Sequence, residues 1–321
     1  MSESTKTVST KKESADPSMP ASLRLHLPAT SANLGPGFDT AAIAFDFYLD
    51  IDASAATEFS IHATGRDADR TGQLDDNLIL ATYKSILEAN NAPVIPLALR
   101  MENAIPLGMG CGSSAAAILA SIALANHFGN LGWSSQRILE EANLLEGHPD
   151  NVTACWLGGF VAAACEGRSV HVAQVTPPTA WRAIVAIPAE PLSTTKARAM
   201  LPTSYKTADI VFNLQSVSLL SLAFAQGRGD LLRIAMRDRI HQPYRAPICP
   251  LLPLLLPLAG QHGILGAALS GAGPAVLLIV DHESSLPQAT AAIRTALGPG
   301  QQAELLAWRF LPAGHNPYLG R

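Results

Sequence analysis

Short alternations of apolar and polar residues open the chain and then give way to helical periods. Leu23, Leu25 and Leu27 alternate with Ser22, Arg24 and His26, which predicts a half-buried strand. Residues 28–39 break it, since Pro36 between Gly35 and Gly37 fixes a loop. Residues 43–51, 59–63 and 97–101 read as further strands. Asp75-Asp76-Asn77 starts a helix over Leu78–Ala89. After Gly112 the chain is apolar nearly all round, with Ala115, Ile118, Leu119, Ile122, Ala123 and Leu124, so that helix is predicted to be buried. Ser134 and Ser135 open the next, running to about Glu146. Residues 160–165 and 181–187 are strands, and 166–180, with Gly167, Pro177 and Pro178, reads as a boundary. Ser193 to Arg198 opens a short helix, 207–225 and 230–239 have helical period, and His241 to Arg245 is a polar turn. Strands over 263–269 and 275–280 flank a Ser-Gly-Ala-Gly-Pro turn at 270–274, followed by a helix over about 285–297 and a strand over 303–310.

Composition sets limits on this pattern. The chain has 321 residues, 48% hydrophobic and 15% charged, enough for a full core and about two domains. A net charge of −4 argues against a global nucleic-acid surface. Cys111, Cys155, Cys165 and Cys249 sit in apolar or Gly-rich contexts without a C-x-x-C pair, which reads as buried free thiols in a reducing compartment. The apolar runs at 115–125 and 248–259 fall short of the ~18 residues a membrane span requires. Residues 1–20, rich in Ser, Thr, Lys and Glu, read as a disordered tail. A cytoplasmic enzyme fits these features.

The candidate chemistry centres on Pro106-Leu107-Gly108-Met109-Gly110-Cys111-Gly112-Ser113-Ser114, placed between a strand and a buried helix. Orphan N–H groups and the dipole at a helix start suit a polyphosphate. A Walker A loop would need Lys where Gly112 stands, and a nucleophile elbow would need Gly where Met109 and Ser113 stand. The plain alternative is a glycine-rich turn. Glu146 falls on the same helical arc as Ile138, Leu139, Ala142 and Leu145, and a carboxylate there is costly unless paired or metal-bound. It is either a fraying helix end or a Mg²⁺ ligand. His148, Asp150 and Asn151 follow in what reads as an active-site loop, although Asp150 also suits a helix cap. Asn33 and Asp39 lie on the first loop, and Arg198 and Arg245 are cations on otherwise short polar segments.

Three segments in order, 28–39, 106–117 and 270–274, resemble the signature set of the GHMP kinases, with Cys111 at the usual Leu. Within them, residues 28–39, 146–152, 193–198, 241–245 and 269–274 are most similar to the homoserine kinase family. The resemblance implies an α+β fold. An N-terminal ribosomal-S5-domain-2-like domain at 21–178 would bind ATP, and a C-terminal ferredoxin-like domain would span 179–321. It implies ATP-dependent phosphorylation of the L-homoserine hydroxyl in threonine biosynthesis, with ATP and Mg²⁺ as cofactors, no membrane partner and a homodimer. The carry-over gives residues 106–114 to ATP and Ser114 and Glu146 to the metal. Asn33, Asp39, Asn151, Arg198, Arg245, Gly271 and Gly273 go to substrate, with Asn151, Ser114 and Glu146 catalytic. No general base is evident, and Asp150 is expected to cap and hold its loop. A GHMP kinase for another small alcohol, such as a mevalonate-like one, and a non-catalytic nucleotide-binding protein are the alternatives.

Overall fold

A computed structural model describes residues 22–319, so the expected tail at 1–20 lies outside the described residues. Ten strands form two sheets. The first sheet holds β1 (Ser22–Asn33), β2 (Gly37–Ala55), β3 (Ser60–Gly65), β4 (Leu97–Asn103), β5 (Phe160–Glu166) and β6 (Ser169–Val175), ordered β3-β4-β2-β5-β6 with β1 on β2. The second holds β7 (Arg182–Pro188), β8 (Ile264–Leu269), β9 (Val276–Val280) and β10 (Ala303–Arg309), ordered β10-β7-β9-β8 and antiparallel throughout. With a helical stretch between β7 and β8 and a helix between β9 and β10, that is the ferredoxin-like arrangement.

Several elements differ from the sequence pattern. Pro28 does not end β1. The chain continues extended to Asn33 across a register shift between Pro28 and Thr30, and only residues 34–36 form the turn. The boundary expected at 166–180 contains β6, paired along its whole length with β5. Helical period over 230–239 yields a 3-10 turn, Gly229–Leu231, running into a short helix, Leu232–Ala235, and no helix beyond it. Asp238 is turned inward instead, where its carboxylate accepts the N–H groups of Ile240, His241 and Gln242. The turn at 241–245 is a single helical turn, Gln242–Arg245.

Four helices cover the first sheet or sit beside it: α1 (Leu78–Ala89), α2 (Ser113–Phe128), α3 (Ser135–Glu146) and α4 (Asp150–Leu157). Asn77 caps α1, its side chain accepting from the N–H groups of Ile79 and Leu80, and Ser134 caps α3 through the N–H of Arg137. The cap of α4 is Pro149, not Asp150. Helix α2 is the central support, with Leu119, Ile122 and Leu124 fully buried. Each such side chain contributes roughly 1.5–3 kcal/mol by leaving water. Leu119→Ala is therefore expected to lower stability by about 2–5 kcal/mol in a urea titration. A change under about 0.5 kcal/mol would contradict this packing.

The two parts of the chain on either side of residue 178 share buried apolar packing. One cluster of buried apolar side chains runs from Leu25 and Leu119 through Val185 and Leu277 to Trp308. The last described residues also return to the first sheet, where Tyr318 bridges to Leu25 and Phe310 to Phe45. Cys165 is exposed, against expectation, because it lies past the buried part of β5, whereas Cys111, Cys155 and Cys249 are buried. The expectation that no segment could span a bilayer also needs correction. By length and composition the 20-residue helix α5 (Thr207–Gln226) passes that test. Its polar Ser, Asn and Gln break the apolar run but carry no charge, and Asp209 is its one charged residue. Its Leu220, Ala223 and Phe224 are buried in the core.

Candidate active site

The glycine loop connects β4 to α2, and four of its carbonyls are bonded to other segments of the chain. The carbonyl of Gly108 accepts from Leu192 N–H at 3.1 Å, that of Met109 from Ala275 N–H at 3.3 Å, and that of Cys111 from Thr30 N–H at 3.1 Å. The carbonyl of Gly110 accepts from Ser270 Oγ at 2.7 Å. The amides of Gly110, Gly112, Ser113 and Ser114 have no acceptor among the described residues. A row of N–H groups with its carbonyls fastened elsewhere is an anion cradle at a helix N-terminus. Gly112 caps α2 at φ 75°, and a Cβ there would stand 2.0 Å from Thr30 Oγ1, so only glycine permits this packing.

A cavity of about 110 Å³ opens beside these amides. Of the residues expected at the site, Asn33, Asp39, Gly108, Gly110, Gly112, Ser113, Ser114, Glu146, Asn151, Arg198, Arg245, Gly271 and Gly273 all line it. Pro106, Leu107, Met109 and Cys111 do not. Cys111 is 1% exposed and points into the core. Pro106, Leu107 and Met109 line a separate groove of about 840 Å³, and Leu107 also lines a cleft that adjoins the small cavity. That groove is larger, but the convergent carboxylates, amides and hydroxyls are in the small cavity, so the chemistry is assigned there. An adjoining cleft of about 540 Å³ shares Gly108, Ser113 and Ser114 and is lined by Leu49, Met101 and Ile105.

Ser114 Oγ donates to Glu146 Oε2 at 2.9 Å. Two oxygens bound side by side to an octahedral Mg²⁺ at ~2.0–2.1 Å would lie about 2.9 Å apart, so this donor pair fits the ion. Burial pushes the Glu146 pKa up, opposed by the Ser114 hydrogen bond. Glu146 is half-buried at the end of an arc whose Ile138, Leu139 and Ala142 are buried, whereas Leu145 on that arc is exposed. Gly147 ends α3 at φ 85° and swings the chain into His148. There His148 Nδ1 bonds Asp150 Oδ1 at 2.8 Å, and the same oxygen accepts from Asn151 N–H at 2.7 Å. Burial alone would lower the His148 pKa, but Asp150, Glu146 and Asp39 outweigh it and raise it. Asp39, His148 and Asp150 lie close enough to share a cation, yet each is already engaged in an ion pair or hydrogen bond. Asn151 Oδ1 accepts from Thr30 Oγ1 at 2.7 Å, which leaves its Nδ2 to serve the cavity.

Two arginines face this group from the second half of the chain. Arg198 forks onto Asp39 at 2.7 and 3.0 Å, so two residues expected to hold opposite ends of a ligand are bonded to each other. Opposite charges across a half-exposed cavity pair unless something better intervenes. Arg245 is 1% exposed and has no acid partner among the described residues. Its Nε donates to the Ala197 carbonyl at 3.3 Å and its Nη1 to the Gly271 carbonyl at 3.4 Å. Burial, and then Arg198, lower its pKa. Asn33 Nδ2 donates to the same Gly271 carbonyl at 2.8 Å, and Asn33 Oδ1 accepts the N–H of Asp39 at 3.0 Å. Sequence reasoning missed Phe38, whose ring lies 5.4 Å from both guanidinium carbons. Its only signal was an aromatic side chain next to Asp39.

Comparison with known proteins agrees with this geometry. Residues 77–159 match the GHMP kinases N terminal domain family, and residues 220–299 match the GHMP kinases C terminal family. The homoserine kinase of Solibacter usitatus is 43% identical over 258 residues, covering 80% of this chain and 84% of the relative. That of a Synechococcus strain is 39% identical over 290 residues, covering 89% and 95%. The crystal structure of homoserine kinase from Cytophaga hutchinsonii superposes with a TM-score of 0.79 over 94% of this chain and 99% of that one; at 23% identity it speaks for the fold. With the glycine cradle, the Ser114–Glu146 pair and both arginines gathered at one cavity in a chain so closely related, we conclude that this chain belongs to the homoserine kinase family of the GHMP kinases.

Proposed function

We propose that the protein transfers the γ-phosphoryl group of ATP to the side-chain hydroxyl of L-homoserine, giving O-phospho-L-homoserine for threonine biosynthesis. The single observation that carries this reading is Arg245, a buried cation without an acid partner on the cavity that contains the open amides. A buried charge calls for a compensating one, and a guanidinium fork matches a carboxylate. Asp39 stands ready for the ammonium of the same amino acid, which exchanges itself into the Asp39–Arg198 pair.

The amides at the start of α2 hold the phosphates, and the apolar cleft beside Ser113 takes the nucleoside. Ser114 and Glu146 would hold Mg²⁺, which would supply positive charge against the ATP phosphates. Asn151 Nδ2 orients the attacking hydroxyl. Asp150 is engaged by His148 and the Asn151 amide and does not serve as a base. The hydroxyl oxygen attacks phosphorus as the bond to the β-bridging oxygen breaks. In a loose transition state the hydroxyl proton leaves late, toward the transferred phosphate. On this reading an N-terminal ATP-binding domain spans 21–178 and a C-terminal domain 179–321, and the two share one core. The enzyme is read as a cytoplasmic homodimer without nucleic-acid or membrane partners.

An ADP-release assay with homoserine, serine, threonine and mevalonate tests the reading. Preference for homoserine supports it, and preference for mevalonate sinks it. The pH profile gives a second check. Glu146 must be ionised to hold a cation, and burial raises its pKa, so activity is expected to fall at a pH above the usual glutamate range. A tenfold rise in magnesium is expected to move that acid limb down by up to about one unit, since metal and proton compete for the carboxylate. An acid limb indifferent to magnesium would separate Glu146 from the ion.

A further inference from the structure

We infer that His241 is a positioning residue that aims Arg245 into the amino-acid cavity. The inference rests on the carboxylate role proposed for Arg245. His241 is 0% exposed and lies outside the cavity lining, so it does not touch substrate itself. Its two ring nitrogens meet groups that leave one tautomer. Nε2 lies 2.7 Å from the Gly35 carbonyl, which can only accept, so Nε2 carries the proton. Nδ1 lies 3.2 Å from Arg245 Nη1, which can only donate, so Nδ1 offers its lone pair. Asp238 does not compete for the ring. It is 3.7 Å away and its oxygens are occupied by Asn213 and the three backbone N–H groups after it. Burial and the Arg245 charge keep the imidazole below its ordinary pKa, the Asp238 carboxylate notwithstanding.

The donors of Arg245 can then be counted. Nε goes to Ala197, and Nη1 is shared between His241 and Gly271. Nη2 has no acceptor among the described residues, and Arg245 lines the cavity. His241 therefore fixes which edge of the fork is left for a ligand. Through Gly35 it also ties that fork to the turn before Phe38, whose ring lies 5.3 Å from the imidazole. The carboxylate subsite and the turn that carries Asp39 are thus set relative to each other by one neutral ring. A protonated ring would keep Gly35 but lose its acceptor for Arg245, and a missing ring would release both.

Two substitutions separate the two bonds of the ring. His241→Gln puts an amide near the Nε2 position, keeping the Gly35 contact and losing the acceptor for Arg245. His241→Asn puts an oxygen near the Nδ1 position and keeps that acceptor. His241→Gln is expected to raise the homoserine KM about 10- to 100-fold, the effect of one hydrogen bond to a charged group, with the ATP KM within about twofold of wild type. His241→Asn is expected to bring the homoserine KM back to within a few-fold of wild type. An unchanged homoserine KM in His241→Gln, or an equal rise in both variants, would overturn the positioning role. So would a parallel rise in both substrates' KM values, which is the mark of general loosening. Wild-type enzyme inert toward homoserine in the same assay would instead remove the substrate reading, and this inference with it.

Discussion

Glu146→Ala is expected to lower kcat by about 10²- to 10⁴-fold while the protein stays folded. A carboxylate whose pKa is raised by burial is a liability to the fold, so removing it should not destabilise the chain greatly. Its nearest partner is the hydroxyl of Ser114 at 2.9 Å, a weak ligand on its own. On the proposed reading the pair together holds a hard cation against the phosphates. Losing charge stabilisation worth several kcal/mol at a phosphoryl group converts, at 1.36 kcal/mol per decade, into the stated range. Stopped assays with purified protein, checked by far-ultraviolet circular dichroism, measure it. Turnover within tenfold of wild type would mean that the cation is held elsewhere.

Arg245→Ala is expected to raise the homoserine KM by about 30- to 1,000-fold and to leave the ATP KM nearly unchanged. Truncating one member of a buried charge pair typically costs 2–5 kcal/mol, in large part because the other charge is left unpaired. The ligand carboxylate would be that stranded charge. Arg198→Ala is expected to be milder, because Arg198 is 37% exposed, so solvent screens its charge. Equal losses for both substrates in Arg245→Ala would show a structural role for the guanidinium and not a binding one.

The elements nearest the glycine loop were legible along the chain, and the contacts between distant segments were not. Asn77, Ser134 and Ser193 announced helix starts through local chemistry, and their side chains cap those helices. Gly112 and the apolar run behind it announced a buried helix, and it is buried. The bond between Arg198 and Asp39 joins residues 159 apart, and no local signal encodes it. Strand β6 was hidden because Gly167 and Pro177 frame it like a linker, although Val170 and Val172 alternate with polar residues. The 230–239 period failed because Asp238 has a better use for its carboxylate than helix propagation. Leu145 looked like a core residue by spacing, but α3 ends one residue later and leaves it in solvent.

The carbonyls of Gly108, Met109 and Gly110 are each tethered to groups at 192, 275 and 270, far along the chain. A scaffold braced in this way has little disorder to lose when a nucleotide lands on it. Its association should therefore proceed by simple collision kinetics, without a slow rearrangement step, and the two halves of the polypeptide should melt as one unit.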